Sequence, residues 1–253
     1  MGKVYLVGAG PGAPDLLTLR AARLLERADI VFHDALVHPE VVALAAGAER
    51  IAVGKRCHRH STAQRFINKR LVDAARTHDV VVRLKGGDPM LFGRAQEEID
   101  ALQAAGVEFE VVPGVTAALA ASAELGVSLT RRGLSRNVVL VTPRAGETES
   151  ESDWVASVLA ADTAAIYMGA GQAEAVAAAL IARGRAADTP VALVESASLS
   201  RSRVTFGTLA TLPRLAAGAD GGPGVILLGE VLRDRLSARR EAARHAEGNS
   251  VAA

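Results

Sequence analysis

Short apolar runs that alternate with segments of helical spacing constrain this chain most strongly. In the first half these runs are rich in Val and Ile and continuously apolar. The five runs are Lys3–Val7, Asp29–His33, Arg50–Val53, Val80–Leu84 and Phe109–Val112. Helical patterns between them cover Leu16 to Arg27, Thr62–Thr77 and Phe92–Ala105. Because a continuously apolar strand is buried on both faces, the pattern predicts a parallel sheet covered by helices.

A second set of apolar runs follows the break at Pro113-Gly114. They are Asn137–Thr142, Ala164–Met168, Val191–Glu195, Val204–Phe206 and Val225–Leu228. Asp153–Ala160 and Ala173–Arg183 have helical patterns. The composition, dominated by Ala, Val and Leu, favours short parallel strands alternating with helices. We therefore predict an α/β fold of two domains, 1–113 and 114–236, with a ligand cleft between them and a disordered tail at 237–253.

The composition also bears on the class of function. The 253 residues carry 29 Lys and Arg against 28 Asp and Glu, so no overall charge favours nucleic acid or an anionic membrane. No apolar run reaches the length of about 20 residues that crosses a bilayer, and no signal-peptide pattern is present. A single cysteine, Cys57, excludes an intrachain disulfide and fits a reducing compartment. We expect a cytoplasmic protein with no nucleic-acid or membrane partner.

The loop after the first run, Gly8–Ala13, has the form of a dinucleotide-binding fingerprint. Asp29 or Asp34 would supply the acidic residue that follows about 20 positions later. Pro14 argues against this interpretation, because it would fall in the first turn of a helix that began within the glycines. We predict instead that the helix begins at or after Pro14. Residues 8–13 would then form an open loop that a ligand can approach without a phosphate cradle.

The stretch Ile51–Arg70 is basic and contains no carboxylate. Its charged residues are Lys55, Arg56, Arg59, Arg65, Lys69 and Arg70, with His58 and His60 among them. It is either an ordinary basic surface or a wall for a ligand with several carboxylates, which Arg matches with forked donors. Cys57 and its neighbouring histidines lack the spacing of a structural zinc site, and we predict no metal.

A second glycine motif, Gly86-Gly87-Asp88-Pro89, follows the fourth apolar run. Two glycines at the end of a strand permit unusual backbone angles and close approach of a ligand. Asp88 precedes a proline and is biased toward extended backbone, where its carboxylate can accept hydrogen bonds. A ligand contact and a plain strand-to-helix turn capped by Asp88 are both consistent with this motif.

Taken in order, these motifs resemble those of the uroporphyrinogen-III C-methyltransferases, within the tetrapyrrole methylase superfamily. The matching stretches are GAGPGAPDLLTLRA, DALV, VGKR, VVRLKGGDPMLFGRAQEE, VVPGVTAA, YMG and PVALVE, and they extend from about Val4 to about Leu232. GAGPG alone is typical of the whole superfamily, whereas VGKR together with RLKGGDP-x-x-FGR is narrower. The resemblance implies the tetrapyrrole methylase fold, with two α/β domains, a cofactor in the cleft between them, and a homodimer.

The resemblance also implies a role for individual residues. Asp34 would accept a proton and Lys55 would donate one, while Arg94, Glu97 and Arg132 would hold the tetrapyrrole. The methyl donor S-adenosyl-L-methionine would be contacted by Pro11, Gly86, Gly87, Asp88, Leu91, Thr116, Ala117, Met168 and Ala197. The implied reaction adds two methyl groups to uroporphyrinogen III and gives precorrin-2, an intermediate toward siroheme or cobalamin.

The chain departs from the family pattern at several positions. A family stretch Pro-Leu-Thr-His-Arg reads Ser128–Arg132 here, and Thr-Gly-His reads Thr142-Pro143-Arg144. Two family glycines before Glu97 are Ala95-Gln96, and Ala197 stands where glycine is common. Arginine at the two histidine positions, 131 and 144, weakens the case for proton transfer there and retains cationic donors for carboxylates.

Several alternatives remain open on the sequence. The chain could methylate a later precorrin or cobalt-precorrin, although VGKR and RLKGGDP speak against it. It could be a nicotinamide-dependent oxidoreductase that uses Gly8–Ala13, or a tetrapyrrole carrier without catalysis. Within the methyltransferase interpretation, Asp34 could be a base or could only orient the substrate.

Overall fold

The computed structural model describes residues 1–53, 61–145, 152–219 and 221–251. The chain divides into two compact units, Met1–Ala120 and Ala121–Ala253. The predicted boundary, between residues 113 and 114, falls earlier than this division. Gly114 belongs with the first unit because its backbone packs directly on Gly8 and Gly87.

The first unit alternates strands and helices. Its elements are β1 (Lys3–Gly8), α1 (Leu19–Glu26), β2 (Ile30–His33), α2 (Pro39–Ala43), β3 (Glu49–Ala52), α3 (Ser61–Ala74), β4 (Val80–Lys85), α4 (Ala95–Ala104) and β5 (Phe109–Val112), and α5 (Ala117–Leu125) begins within it. All five strands pair in parallel in the order β3-β2-β4-β1-β5. The predicted parallel sheet is therefore confirmed, whereas α2, a five-residue helix, was not predicted.

Helices cover both faces of this sheet. Leu24 and Leu25 of α1 and Val41 of α2 pack on one face, in one cluster with strand residues such as Val31. Leu71 of α3 and Leu102 of α4 belong to the cluster on the other face. Each fully buried leucine stabilises the fold by about 1.5–3 kcal/mol relative to an exposed one.

The connections determine where a ligand can bind to the first unit. Those that leave β1 and β2 cross the face covered by α1 and α2, whereas the connection that leaves β4 crosses the other face. Because β4 lies between β1 and β2, its outgoing loop diverges from both neighbouring loops. In parallel α/β sheets such a switch point opens a crevice at the carboxyl ends of the strands.

The second unit has a mixed sheet. Its elements are β6 (Val138–Val141), α6 (Trp154–Ala160), β7 (Thr163–Tyr167), α7 (Ala173–Ala182), β8 (Pro190–Glu195), β9 (Arg203–Thr208), α8 (Leu212–Ala217), β10 (Gly224–Gly229) and α9 (Arg233–Val251), and α5 ends within it. The strand order is β6-β7-β10-β8-β9, in which β6 and β7 are parallel and the other pairs are antiparallel. The expectation of parallel strands holds here only for β6 and β7 and is wrong for the other pairs. The link from β8 to β9 is too short to make the crossover that parallel strands need.

Two further features complete this unit. One face of its sheet is covered by α6, α7 and α8, whose residues Val158, Leu180 and Leu212 are fully buried. Helix α9 continues to Val251, which differs from the tail predicted at 237–253; Ala, Arg and Glu favour helix in this segment. Among the described residues, no helix is both long and apolar enough to cross a membrane.

Candidate functional site

Three glycines bring three strand ends together at the carboxyl edge of the first sheet. Gly8 ends β1, Gly87 follows β4, and Gly114 follows β5. A Cβ atom on Gly8 would lie 2.6 Å from the Gly114 Cα atom and 2.7 Å from the Gly87 carbonyl oxygen. Since these neighbours are backbone atoms, only glycine allows the strands to meet this closely.

The two glycine motifs are joined to each other by backbone hydrogen bonds. Gly10 N–H donates to the Gly87 carbonyl at 3.2 Å, and Gly87 N–H donates to the Gly10 carbonyl at 2.8 Å. Both residues have positive φ, +69° and +68°. Pro11, Gly86 and Thr116 therefore lie at one edge of the first unit, as do the other residues of this unit for which the resemblance implies a cofactor contact: Gly87, Asp88, Leu91 and Ala117.

Asp88 holds this edge together through its carboxylate. Its Oδ1 accepts a hydrogen bond from Met90 N–H at 2.8 Å, and its Oδ2 accepts one from Gly114 N–H at 2.9 Å. The first bond is the turn-capping interaction that the sequence offered as an alternative. Asp88 thus links the loop after β4 to the end of β5, and a role in contacting a cofactor stays a prediction.

The loop after β1 is not a dinucleotide turn. Pro14–Leu16 forms a 3₁₀ turn, and α1 begins only at Leu19. Thr18 caps that helix by accepting a hydrogen bond from Ala21 N–H at 3.1 Å. The prediction that the helix begins at or after Pro14 is confirmed. The free N–H groups of the helix therefore do not face the glycines, as pyrophosphate binding would require.

Asp34 follows β2 at the same edge. Its N–H donates to the Leu84 carbonyl at 3.2 Å, which continues the pairing of β2 with β4. Its carboxylate Oδ1 accepts a hydrogen bond from Arg83 Nη2 at 2.5 Å. The Asp34 side chain is 28% exposed, whereas that of Arg83 is 2% exposed. Asp34 is therefore an accessible acid backed by a buried guanidinium.

A buried group of charges lies behind Asp34. Arg83 Nε donates to Glu98 Oε1 at 2.9 Å, and Lys85 Nζ donates to both oxygens of Glu98 at 3.0 Å. Gln64 Nε2 donates to Glu98 Oε1 at 3.2 Å. Glu98 is completely buried and Lys85 is 2% exposed. We call Arg83, Lys85, Glu98 and Gln64 the buried charge cluster.

The cluster alters the pKa values of its two cations in opposite directions. Burial lowers the pKa of Arg83, but attraction by Asp34 and Glu98 outweighs that cost and raises it above its usual value. For Lys85, burial and the neighbouring Arg83 lower the pKa, and Glu98 and Asp34 offset only part of this. Arg83 therefore remains charged at any physiological pH, as arginine normally does.

The sequence did not assign a role to these cluster residues. Arg83 and Lys85 fell within the RLKGGDP stretch and Glu98 within FGRAQEE, but only their neighbours were proposed as site residues. Two cations at alternate positions of a buried strand point to the same side of the sheet and require a buried partner. That pattern is the signal by which the cluster could have been found.

The proposed substrate residues Arg94 and Glu97 pair with each other. Arg94 Nε and Nη2 donate to the two carboxylate oxygens of Glu97 at 2.6 and 2.8 Å, and both side chains are about half exposed. Arg94 has a left-handed backbone, φ +55°, immediately before α4. Asn68 Nδ2 of α3 donates to the Glu97 carbonyl at 3.0 Å. The pair therefore lies in the first turn of the helix that also carries Glu98.

Met168 and Ala197 share one edge of the second sheet. They follow β7 and β8, which are both antiparallel to β10 and so end at the same side. Met168, Ser196 and Ser198 all have positive φ, between +50° and +74°. Such conformations cost about 1–3 kcal/mol each and concentrate at functional sites. Ala197 lies between two of them and is 6% exposed.

Two predicted site residues, Arg132 and Lys55, are not among the residues described above at the two sheet edges. Arg132 precedes β6, beside Arg131, which pairs with Asp234 after β10 at 2.7 Å. It therefore lies at the opposite edge of the second sheet from Met168 and Ala197. Lys55 lies outside the described residues. In the part of the chain that the structure describes, no group of three or more His, Cys, Asp or Glu side chains is suited to a metal ion.

The carboxyl edge of the first sheet, where three glycines meet, is the place at which α/β proteins with parallel sheets bind small molecules. Together with the mixed sheet of the second unit, it defines the protein as a member of this class. The sequence profile of the tetrapyrrole (corrin/porphyrin) methylases matches residues 3–213. The chain belongs to this family.

Relatives with known names are similar over most of the chain. A siroheme synthase from Nitrosococcus oceani is 48% identical over 233 residues, which cover 91% of this chain and 50% of the relative. One from Chromobacterium violaceum is 48% identical over 240 residues, or 93% of this chain and 51% of the relative. The chain thus spans about half the length of these curated relatives.

Solved structures show the same fold. The crystal structure of uroporphyrin-III C-methyl transferase from Thermus thermophilus, complexed with S-adenosylhomocysteine, has a TM-score of 0.81 and 41% identity, and the match covers 92% of this chain and 99% of that one. A cobalt precorrin-4 methyltransferase has a TM-score of 0.81 with 28% identity, over 91% of this chain and 95% of that one. The predicted tetrapyrrole methylase fold is confirmed.

Proposed function

We propose that this protein transfers methyl groups from S-adenosyl-L-methionine to two carbons of uroporphyrinogen III and so forms precorrin-2. The observation that carries the proposal is the carboxyl edge of the first sheet, where the open Gly86-Gly87 backbone lies beside a half-buried acid, Asp34. Support comes from the Thermus thermophilus structure, whose title names both this type of activity and a bound S-adenosylhomocysteine.

The residues at this edge fit a nucleoside ligand with amino-acid groups. A Cβ atom on Gly87 would have no neighbour closer than the Thr116 Cα atom, at 4.0 Å, and one on Gly86 would meet Leu36 at 3.4 Å. The missing side chains therefore let a ligand approach the backbone closely. Pro11, Leu91 and Ala117 lie along the same edge. A cofactor contact is proposed separately for Met168 and Ala197 of the second unit.

When bound, S-adenosylmethionine supplies an electrophilic methyl group. The reduced pyrrole rings are electron-rich at carbon, so the protein need not create a strong nucleophile. Its residues must align the ring carbon with the methyl group and exclude water. In each transfer a carbon–carbon bond forms, the methyl–sulfur bond breaks with its electron pair remaining on sulfur, and the ring system then loses a proton. Asp34 is the proposed acceptor of that proton.

The substrate carries many carboxylates, which cations must hold. Arg94 is proposed for this role together with Glu97, and Arg132 and Lys55 are proposed as further contacts. Because Arg94 already forms two hydrogen bonds with Glu97, its guanidinium is held in one orientation. Glu97 can itself accept hydrogen bonds from pyrrole N–H groups.

A second candidate is methylation of a later precorrin. The similarity to a cobalt precorrin-4 methyltransferase, at 28% identity, favours it. The higher identity to the uroporphyrin-III enzyme favours the first proposal. We also propose that the protein is a cytoplasmic homodimer whose product enters siroheme or cobalamin biosynthesis.

An anaerobic assay tests this proposal. Purified protein would be incubated with enzymatically generated uroporphyrinogen III and methyl-labelled S-adenosylmethionine, and the oxidised product would be analysed by mass spectrometry. We expect a gain of two methyl groups. Methylation of later precorrins alone would support the second candidate. Binding of uroporphyrinogen III without consumption of S-adenosylmethionine would indicate a carrier and refute both.

A further inference from the structure

Burying the charges of the buried charge cluster costs free energy. Arg83 is 2% exposed, Lys85 3% and Glu98 0% at the side chain. Transfer of such charges from water costs several kcal/mol per ion, which pairing offsets only in part. A cluster of well-packed apolar side chains at the same positions is often as stable or more stable. Stability alone therefore does not explain why this sheet contains it.

The geometry of the cluster connects it to Asp34. The Arg83 guanidinium uses three nitrogens: Nη2 donates to Asp34, Nε donates to Glu98, and Nη1 donates to the Leu84 carbonyl at 3.3 Å. Glu98 is in turn fixed by Lys85 and Gln64. The orientation of the guanidinium, and with it the position of Asp34 Oδ1, is thus set from several sides.

The same cluster also fixes the first turn of α4. Glu98 follows Glu97 directly, and Gln64 Nε2 donates to Asn68 Oδ1 at 2.9 Å, while Asn68 holds the Glu97 carbonyl. A Cβ atom on Gly93 would lie 3.1 Å from Lys85 Cε, so the loop before Arg94 lies on the lysine side chain. The buried charge cluster therefore contacts both Asp34, the proposed proton acceptor, and the turn that carries the Arg94–Glu97 pair.

We propose that Arg83 is a positioning residue that holds Asp34 in the orientation for proton acceptance, and that Glu98, Lys85 and Gln64 fix Arg83 relative to the Arg94–Glu97 turn. This inference rests on the proposed function. It adds residues that act through Asp34 and do not themselves contact the reacting atoms.

A kinetic cycle tests the proposal. The variants are Arg83→Gln, Arg83→Lys, Asp34→Asn and the double variant Asp34→Asn/Arg83→Gln, assayed for kcat and for KM of both substrates. Arg76→Gln is the matched control, because Arg76 also pairs with an aspartate, Asp73, but at the surface. We expect Arg83→Gln to lower kcat on the order of 10²-fold with little change in the KM for S-adenosylmethionine.

The other variants make the test specific. Arg83→Lys should recover part of the loss, since lysine keeps the charge but not the fork. The double variant should be no slower than Asp34→Asn, because residues that act as a unit are not additive. Arg76→Gln should behave as wild type. Multiplicative effects of the two single changes, or a kcat of Arg83→Gln within about twofold of wild type, would overturn the proposal.

Two further measurements keep the test decisive. If Arg83→Gln does not fold, the apolar variant Arg83→Met/Lys85→Met/Glu98→Leu removes the cluster without leaving an unpaired buried ion, and it should fold with the same loss of kcat. Crystal structures of wild type and Arg83→Gln decide the question without turnover. A displaced Asp34 carboxylate is expected, and an unchanged one would refute positioning. If the wild-type protein itself shows no turnover, the proposed function is refuted, and the positioning role of Arg83 is judged from the two crystal structures.

Discussion

At the residue scale, the site is formed as much by missing side chains as by present ones. Gly8, Gly87 and Gly114 allow β1, β4 and β5 to converge at their carboxyl ends. The position of the Gly86-Gly87 backbone, and so of any ligand bound to it, depends on this convergence. A methyl group at Gly8 or Gly114 would have to push backbone away, whereas one at Gly87 would be strained by the positive φ of that residue.

We expect Gly8→Ala to lower the free energy of unfolding by about 1–3 kcal/mol. The added methyl would face backbone atoms of Gly114 and Gly87 within 2.7 Å. Gly47→Ala is the control, because nothing lies within 4 Å of a Cβ atom there and its φ is ordinary. The control should be neutral or slightly stabilising. Urea unfolding of both variants measures the difference, and equal stabilities would contradict the close packing.

The residues of the site were predictable from the sequence to different degrees. The motifs at strand ends predicted the edge where Pro11, Gly86 and Thr116 lie, because ligand loops of parallel sheets occur there; their contact with a cofactor, implied by the resemblance, stays a prediction. Arg83 and Glu98 were missed because the contacts are distant in sequence. The two partners of Arg83, Asp34 and Glu98, lie 49 and 15 positions from it along the chain. Sequence spacing cannot show a contact that depends on which strand lies beside which.

At the element scale, helix α6 shows how a short helix is fixed at its start. Asp153, predicted as the first residue of this helix, is its N-cap: Oδ1 accepts a hydrogen bond from Ala156 N–H at 2.9 Å. The same oxygen accepts one from Arg183, after α7, at 2.5 Å. These contacts join the start of α6 to the end of α7. The hydrogen bond from Arg183, and then that from Ala156, lower the pKa of Asp153.

The lowered pKa predicts how stability depends on pH. Because the folded state binds this proton less readily than the unfolded state, the contribution of Asp153 is present above its ordinary pKa of 3.8 and lost as pH falls through the lower folded value. Asp153→Asn keeps the capping oxygen and should lose only the pH-dependent part, whereas Asp153→Ala should have the lower Tm at neutral pH.

Thermal unfolding of wild type and both variants from neutral to about pH 3 measures this effect. Arg183→Met serves as a second control, since it removes the main cause of the pKa shift and retains the cap. It should flatten the acid dependence as Asp153→Asn does. An acid dependence of Arg183→Met as steep as that of wild type would show that Arg183 does not stabilise the ionised carboxylate.

At the scale of the whole molecule, strand positions were predictable and strand pairing was not. Every strand in the described ranges overlaps a predicted apolar run, because strands that pack under helices require apolar side chains. The same apolar pattern serves parallel and antiparallel pairs, so it could not show that β10 lies between β7 and β8 in the second sheet. The short helices α2 and α8 were missed because five or six residues carry too little periodicity.

The fold as a whole predicts which ligand stabilises the protein. A ligand that binds only the folded state raises the unfolding free energy by about 2.7 kcal/mol at a concentration of 100 Kd. For a chain of this size that corresponds to a Tm increase of roughly 5–10 °C. We expect this increase with S-adenosylhomocysteine and no increase with NADH, because α1 begins too far beyond Gly8–Ala13 to hold a pyrophosphate. An increase with NADH and none with S-adenosylhomocysteine would refute the methyl-donor assignment and restore the nicotinamide hypothesis.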